Sequence, residues 1–411
     1  MSMLINYKLI NLGKNMKKTT LLVIAGTLAG QSVYAAGNIT EAIINGKASA
    51  DMSLRYEGVE QDNALQDATA LTLRSRLGYT TDSYNSFSAM IEMEDVRIVG
   101  GQDEYSVGPT GFNPGVYSVI ADPEITELEQ AFVKYSDAGL SAKLGRQVIT
   151  YDGHRFVGHV GWRQDRQTFD AFKVDYAASK DLKLSYSYLW KRNRIFAEAA
   201  DIDSKDSLIN GSYKAGFGTI TTYAYLLEVD NNTDNGLDTF GLSYKGVLGE
   251  EKQFDYTLEY ATQTNESGAT EYDTDYLFLE GGLKTGGVTL KLGYEVLGSD
   301  NGASGFATPL ATLHKFNGFA DMFLTTPAEG LVDMYVSAAS KVGGGNMVIV
   351  YHDYSADKQS AAVDDMGNEI DLVYGKQFSK NYSAGIKYAS YSAGDINVDT
   401  DKLWVWGGLK F

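Results

Sequence analysis

The chain has 411 residues, no cysteine and a formal net charge of −18. The lack of cysteine excludes disulfides, zinc–thiolate sites and cysteine nucleophiles. The acidic balance argues against nucleic acid as a partner, because phosphate binding needs a basic face. The 44 glycines, 28 tyrosines and 5 prolines suit long strands with tight turns and aromatic girdles better than helices.

The first 35 residues are predicted to be a secretory signal peptide, which leaves 36–411 as the mature chain. Its parts are a positive segment (Lys14, Lys17, Lys18), an apolar segment of ten residues (21–30) and a small-x-small cleavage site (33–35). Met16 is an alternative initiator. An uncleaved membrane anchor is the alternative, but ten apolar residues are too few to span a bilayer as a helix. Cleavage removes four lysines and no acid, so the net charge falls from −18 to −22.

The rest of the chain is dominated by alternation of apolar and polar side chains in segments of about ten residues, the pattern of a transmembrane β-barrel. In one such segment Leu290 and Leu292 share a face, whereas Lys291 and Glu295 share the other. No later stretch reaches the ~20 apolar residues of a transmembrane helix. The predicted strands are 45–57, 69–80, 86–98, 124–136, 139–149, 167–178, 181–193, 206–215, 217–229, 237–247, 252–263, 272–284, 287–297, 331–341, 346–354, 368–378, 381–392 and 401–411.

Short and long connections alternate along these strands, which predicts short periplasmic turns and long extracellular loops. Residues 314–325 also have strand character, but including them gives an odd strand count and puts the long 355–367 connection in the periplasm. We therefore assign 298–330 wholly to one extracellular loop. The predicted fold is all-β, a single transmembrane antiparallel barrel of about 18 strands with both termini periplasmic. A barrel that wide leaves an aqueous channel unless loops narrow it.

The last strand closes on Phe411 and has alternating apolar residues before it. This ending resembles the signal through which the barrel-assembly machinery recognises outer-membrane barrels. The predicted location is the Gram-negative outer membrane, where the barrel contacts lipid and lipopolysaccharide.

Basic residues that can line a pore lie on several of these segments. Leu71, Leu73 and Leu77 mark the lipid side of strand 69–80, so Arg74 and Arg76 are predicted to face the lumen. By the same alternation Lys173, Lys183 and Lys191 face the lumen. Four further arginines lie in or near the 150–166 connection: Arg146, Arg155, Arg163 and Arg166.

Two arginines share the strand parity of apolar residues that face the lipid. Arg146 shares the parity of Leu144, so it needs a bulge or a position above the membrane to turn inward. Arg192 shares the parity of Trp190 and is predicted to lie at the outer rim.

Two roles suit the arginines, and both can hold at once. In the first they form a constriction, since guanidinium groups bind carboxylates bidentately and basic rings favour anions in a pore. In the second they pair with Asp152, Asp165 and Asp170 and brace a loop that folds inward.

Three motifs follow one another between residues 144 and 170. They are Leu-Gly-Arg-Gln at 144–147, Asp-Gly-His-Arg-Phe-Val-Gly-His-Val-Gly-Trp-Arg-Gln at 152–164 and Arg-x-Thr-Phe-Asp at 166–170. Together with the stretches 316–321 and 330–335, they resemble the alginate-export family of outer-membrane porins, over about 45–411. The resemblance implies an 18-stranded barrel and export of a polyuronate through a basic pore. It also implies that the six arginines Arg74, Arg76, Arg146, Arg155, Arg163 and Arg166 lie on the solute path.

Other chemistry finds less support. His154 and His159, near Asp152, have no spacing that fixes a metal geometry, and His352 beside Asp353 suits a wall residue. We therefore predict no metal site, no cofactor and no catalytic residue. Acidic clusters in the loops, for example around Asp201 and around Asp364, are either calcium-binding or simply solvated.

The leading hypothesis is therefore a passive porin for hydrophilic, anionic solutes such as a polyuronate or a carboxylated sugar. The alternative of another class is a structural or receptor barrel whose lumen is plugged. A barrel enzyme is a third class, but no nucleophile elbow or triad marks one.

Overall fold

The computed structural model describes residues 36–108, 112–249 and 251–411, so the predicted signal peptide lies outside the described residues. The described chain begins with a short helix, α1 (Ile39–Ile44), which is capped by Asn38: its side-chain oxygen accepts a hydrogen bond from the Glu41 amide at 2.9 Å. No helix in the described part of the chain is long and apolar enough to cross a membrane.

Eighteen strands follow α1 in the part of the chain that the structure describes. They are β1 (Lys47–Gln61), β2 (Ala68–Thr80), β3 (Phe87–Glu104), β4 (Ile125–Asp137), β5 (Leu140–Gln147), β6 (Thr168–Ala177), β7 (Leu182–Asn193), β8 (Ile202–Ala215), β9 (Gly218–Leu227), β10 (Asn235–Leu248), β11 (Phe254–Ser267), β12 (Thr270–Thr285), β13 (Val288–Leu297), β14 (Leu331–Val342), β15 (Gly345–Ser355), β16 (Asp365–Gln377), β17 (Tyr382–Ser392) and β18 (Thr400–Lys410).

The strands form one closed sheet. Each pairs antiparallel with its neighbours in sequence, and β1 also pairs with β18. At this seam the amide of Phe411 donates to the Ala50 carbonyl at 2.9 Å, and the Ala50 amide donates back at 2.8 Å. Closure leaves no unpaired strand edge, as hydrocarbon surroundings require. The predicted 18-stranded barrel is confirmed, and 314–325 holds no strand, only part of a 3-10 turn at Leu313–Lys315.

Side-chain alternation separates a lipid face from the lumen. Leu77, Leu144 and Leu292 are each more than half exposed on the outside of the barrel, as lipid-facing residues of an isolated barrel must be. Arg74 and Arg76 lie on the opposite face of β2 and are only 8% and 5% exposed. Both therefore face the lumen, as strand parity predicted.

The loops at the two ends of the barrel differ as predicted, since the turns at one end are short, whereas most loops at the other end are long. Two of the long loops do not stay outside. Residues 148–167, between β5 and β6, and 298–330, between β13 and β14, fold into the barrel; we call them inner loop 1 and inner loop 2. In inner loop 2, Phe306, Leu310 and Ala320 are almost completely buried. The prediction of 298–330 as one loop without a strand is confirmed, but several of its residues pack inside the barrel.

This topology predicts which segments antibodies can reach. An epitope tag at 358–360, which is exposed in the β15–β16 loop, should be detected on intact cells. A tag at Gly344, in a short turn, should be detected only after the outer membrane is permeabilised, and a tag within 306–320 should disturb the lumen. Labelling of the Gly344 tag on intact cells would invert the assignment.

Candidate functional site

The two inner loops meet inside the barrel. The Gly158 amide donates to the Leu310 carbonyl at 2.7 Å, and the Thr312 amide donates to the His154 carbonyl at 3.0 Å. A Cβ atom on Gly158 would lie 2.2 Å from the Thr312 hydroxyl oxygen, so only glycine permits this approach. The loops thus form one unit rather than two independent flaps.

Aromatic side chains fill the space between the loops and the barrel wall. Phe156 of inner loop 1 packs edge-on against Tyr276 of β12 at 5.1 Å between ring centroids, and against Phe306 of inner loop 2 at 5.9 Å. Tyr223 of β9 lies on its other side. All four side chains are buried, so this part of the lumen is a packed apolar core.

Arg163 is the central ionic contact of inner loop 1. One guanidinium nitrogen donates to both carboxylate oxygens of Glu57 on β1, at 3.0 and 2.9 Å, and another donates to Asp321 of inner loop 2 at 3.0 Å. Burial lowers the pKa of Arg163, but the carboxylates of Glu57, Asp122 and Asp321 outweigh it and raise that pKa. Arg163 therefore ties both inner loops to the wall.

A third loop, 105–124 between β3 and β4, reaches the same point through Asp122. This buried carboxylate accepts hydrogen bonds from Arg55 of β1 and, at 2.9 Å, from the Gln164 amide. Burial acts to raise the pKa of Asp122, but Arg55 and Arg163 lower it below its ordinary value. The carboxylate is therefore charged and balances the two arginines.

The arginines of β2 are paired as well. Arg74 donates to Asp51 of β1, and Arg76 donates to Glu94 of β3 and, at 3.0 Å, to the Gln164 carbonyl. Arg166 of inner loop 1 contacts two carboxylates of the same wall. They are Glu92, at 2.6 Å, and Glu129.

Arg155 of inner loop 1 contacts both β13 and inner loop 2. It donates to Glu295 of β13 at 2.6 Å and to Asn317 at 3.2 Å, and its guanidinium stacks over Phe316 at 4.7 Å. Asn317 in turn donates to Glu295 at 2.7 Å. The result is a hydrogen-bonded joint between the two inner loops and the wall.

The bracing arrangement is therefore present in the structure, but mostly with partners other than those predicted. Asp152 accepts hydrogen bonds from Asn210 and Tyr225, and neither oxygen of Asp165 has a hydrogen-bond partner. Only Asp170 pairs with one of the arginines named, Arg146, at 2.8 Å. The other partners are carboxylates of the barrel wall and of inner loop 2, which are distant in sequence.

Bulges reverse two of the predicted orientations. In β7 the pairing with β8 passes from Leu189 to Lys191 and leaves out Trp190. Arg192 consequently turns inward, is 4% exposed and forms two bonds of 2.8 and 2.6 Å with buried Asp206. The prediction that Arg192 lies at the outer rim is wrong. Lys191 takes the opposite side, 3.1 Å from Asp201, and the prediction that it faces the lumen is wrong too.

Arg146 keeps the outward parity of Leu144. Its neighbour Gly145 has a φ of +121°, and a Cβ there would lie 2.2 Å from the Ala131 carbonyl oxygen. The guanidinium makes a bidentate pair with Asp170, the residue opposite on β6, and donates to the Leu128 carbonyl at 3.1 Å. Arg146 therefore stays on the outer side of the wall, near the extracellular rim.

Three lysines form a row on the lumen wall, and only Lys173 among them was predicted from the sequence. Lys134 of β4 lies directly opposite Lys143 of β5, and Lys143 lies opposite Lys173 of β6. Lys173 approaches Asp175 and the ring of Tyr151 in inner loop 1. Among the described residues, no carboxylate lies within 4.0 Å of the Lys134, Lys143 or Lys183 ammonium groups. The parity rule that placed Lys173 and Lys183 in the lumen would have found Lys134 and Lys143.

Open space remains beside the inner loops. A cavity of about 340 Å³ is bounded by Arg155 and Lys315 from the loops and by Lys245, Lys291 and Glu280 from the wall, among others. The Lys291 ammonium is 2.7 Å from Glu280. This space has the mixed charge of a water-filled path.

Three of the histidines contact neighbouring side chains. His154 and His159 pack edge to face at 4.9 Å, and His352 contacts Asp333 at 2.9 Å. Of the acidic loop residues, Asp201 and Asp206 are engaged by Lys191 and Arg192.

His314 of inner loop 2 is held between a carboxylate and a lysine. Its Nδ1 lies 2.6 Å from Asp321, and its Nε2 lies 2.8 Å from the ammonium of Lys387 on β17. Because the ammonium can only donate, Nε2 must accept and the ring is neutral. Lys387 in turn lies 3.5 Å from the ring centre of Trp162 in inner loop 1.

Loss of Arg163 should loosen the inner loops. Arg163→Ala leaves Glu57 and Asp321 buried with less compensation, which costs about 3–5 kcal/mol for a broken buried pair. We expect faster proteolysis of inner loop 1 and a larger single-channel conductance. Arg97→Ala is the control, because Arg97 pairs with Asp95 at the exposed surface, where such pairs contribute about 0–1 kcal/mol. Equal behaviour of the two variants would contradict the bracing role.

Acid should loosen the same contact. Burial, with Lys387 and Arg163 and against the effect of Asp321, lowers the pKa of His314 to about 3. Because the unfolded value is near 6.5, the neutral ring stabilises the docked loop fully above that pH and progressively less as the pH falls towards 3. Single-channel recordings should show more open-state noise at pH 4.5 than at pH 7.5. His314→Phe should weaken this dependence; an unchanged pH dependence would exclude His314 as its source.

The chain resembles known proteins in its structure and in its sequence. Solved structures with the same fold include OccAB4 of Acinetobacter baumannii (14% identity, TM-score 0.70, 89% of this chain and 98% of that chain) and OpdO, also called OccK3, of Pseudomonas aeruginosa (12%, 0.68, 93% and 99%). A third is OpdK of Pseudomonas aeruginosa with vanillate (15%, 0.65, 89% and 98%). No curated protein sequence matches the chain.

The sequence model described as alginate export matches residues 44–297, more than half of the chain. The chain therefore belongs to the alginate-export family and is a β-barrel of the Gram-negative outer membrane.

Proposed function

We propose that the protein is a channel that passes hydrophilic anions across the outer membrane, with carboxylated saccharides as the favoured class. The observation that carries this proposal is the lysine row, Lys134, Lys143 and Lys173, on adjacent strands of the lumen wall. Like charges directly opposite each other destabilise a sheet, so a basic row of this kind favours the presence of an anion. Rings of lysine and arginine select anions in other pores.

The arginines contribute to the path in a different way. Arg76, Arg155 and Arg163 have their charge balanced by carboxylates at contact distance. They set the shape of the lumen. Lys173 of the lysine row is paired with Asp175, so Lys134, Lys143 and Lys183 supply the positive charge that no carboxylate of the described residues balances at contact distance. Since salt limits the reach of a charge to ~8–10 Å, the acidic residues elsewhere in the barrel leave this positive strip effective.

Two comparisons favour a carboxylate as the solute. The family to which the chain belongs is described as alginate export, and alginate is a polyuronate. The OpdK structure contains vanillate, which also carries a carboxylate.

A plugged receptor barrel is the second candidate, and one observation favours it. The inner loops share an apolar core with the wall, in which Phe156, Phe306 and Tyr276 are buried. A barrel closed by this core would conduct no ions, so conductance in planar bilayers separates the two candidates. We propose a channel rather than an enzyme.

Charge reversal in the lysine row tests the channel. Lys143→Glu places a negative charge between Lys134 and Lys173, so the anion-to-cation permeability ratio should fall several-fold in bilayer recordings. In liposome-swelling assays, galacturonate entry should slow more than galactose entry.

Lys376→Glu is the matched control. Lys376 lies near the same end of the barrel but shares the outward parity of exposed Ile370, so its reversal should leave the permeability ratio unchanged. If a folded Lys143→Glu barrel keeps its ion selectivity, the lysine row does not select anions.

A further inference from the structure

Three buried carboxylates meet beside the pair of Arg76 and Glu94. They belong to Glu94 of β3, Glu129 of β4 and Asp165 of inner loop 1, and one oxygen of each lies within 4.8 Å of the others. Each of the three residues is completely buried. The cluster therefore joins the wall to inner loop 1.

Local backbone geometry brings these groups together. In the β3–β4 pairing, Glu92 is opposite Gln130 and Met93 is opposite Leu128, so Glu129 is the extra residue of a bulge. Bulges re-aim side chains in this way. Asp165 follows Gln164, whose side chain donates to the Thr72 hydroxyl at 2.9 Å and whose amide donates to Asp122 at 2.9 Å. The position of Asp165 is therefore fixed.

Four oxygens of the cluster have no hydrogen-bond partner. They are Oε1 of Glu94, Oε2 of Glu129 and both carboxylate oxygens of Asp165. The second oxygens of the two glutamates are already used by Arg76 and Arg166. Buried charged oxygens without a partner are costly, so these four call for a ligand that accepts several carboxylate oxygens at once.

The charge of the cluster also favours a positively charged ligand. With Glu92, four carboxylates face two guanidinium groups, those of Arg76 and Arg166. With all four carboxylates ionised, the cluster has two more negative than positive charges, and Glu94, Glu129 and Asp165 are completely buried.

The spacing allows a cation of calcium size. Calcium binds oxygens at about 2.3–2.6 Å, so ligands on opposite sides of the ion are about 5 Å apart. The three oxygens all lie within 4.8 Å of one another, so one calcium ion can contact all of them. Calcium also tolerates irregular ligand geometry, whereas magnesium demands a near-ideal octahedron.

We propose that Glu94, Glu129 and Asp165 form a binding site for a divalent cation of calcium size, which fastens inner loop 1 to the barrel wall. The ion would supply the two missing positive charges and occupy the four free oxygens. A proton on Asp165 is the competing explanation, but it removes one charge and leaves most of these oxygens without a partner.

Calorimetry on the refolded, EDTA-treated barrel in detergent tests the site. Wild type titrated with calcium chloride should bind one ion per chain and melt at a higher temperature in calcium than in EDTA. Asp165→Asn should weaken binding at least tenfold and abolish the calcium-dependent rise in melting temperature. Asp203→Asn, which removes an exposed acid of β8, should bind calcium as wild type does. Glu129→Gln is a second variant with the same expectation as Asp165→Asn.

Two results would overturn the site. One is wild-type protein that takes up no calcium at millimolar concentration. The other is Asp165→Asn protein that binds calcium normally or that, without calcium, is as stable as calcium-loaded wild type, as expected if a proton occupies the site. Both readouts are independent of conduction, so the channel function and the cation site can fail separately. If both hold, EDTA should raise single-channel conductance in wild type but not in Asp165→Asn.

Discussion

Burying a charge inside this barrel is costly unless an opposite charge lies beside it. Removing one member of a buried ion pair costs about 3–5 kcal/mol, so a loop that carries several such charges has few positions it can occupy. Arg163 meets Glu57 of the wall and Asp321 of inner loop 2 in the same small volume. Neither inner loop can move far without separating charges that the other one helps to balance. The loops are therefore expected to move together or not at all.

This constraint explains why a strongly acidic chain contains so basic a segment. A net charge of −18 would usually mean that acidic residues cover the surface. In this barrel several of the acidic residues lie in the lumen instead. Glu57, Glu129 and Glu295 are wall residues that serve as counter-ions of inner loop 1. The basic loop and the acidic wall are two halves of one arrangement. Lys134 and Lys143 of the lysine row lie outside it and have no ion-pair partner among the described residues.

The fold was largely predictable, and the site only in part, for identifiable reasons. Alternation with a period of two gives the strands and the side on which Arg74 lies, because hydrocarbon outside and water inside act on every residue. A bulge shifts that parity without a sequence signal, as at Trp190 and Glu129. Lys143 was accessible to the parity rule. The pairing of Glu57 with Arg163 was not, because it depends on which way a loop folds across a closed barrel.

The seam between β1 and β18 has a consequence for how the protein is made. Trp404 of β18 is completely buried and packs edge-on against Trp162 of inner loop 1 at 5.9 Å. The last strand to be exported is thus part of the lumen core. The first strand, β1, cannot complete its pairing until β18 is present. Until then the apolar side chains of the inner loops lack their final partners, and contacts of such long sequence separation form slowly. Assembly intermediates should therefore be prone to aggregation and depend on periplasmic chaperones more than a barrel with an empty lumen would.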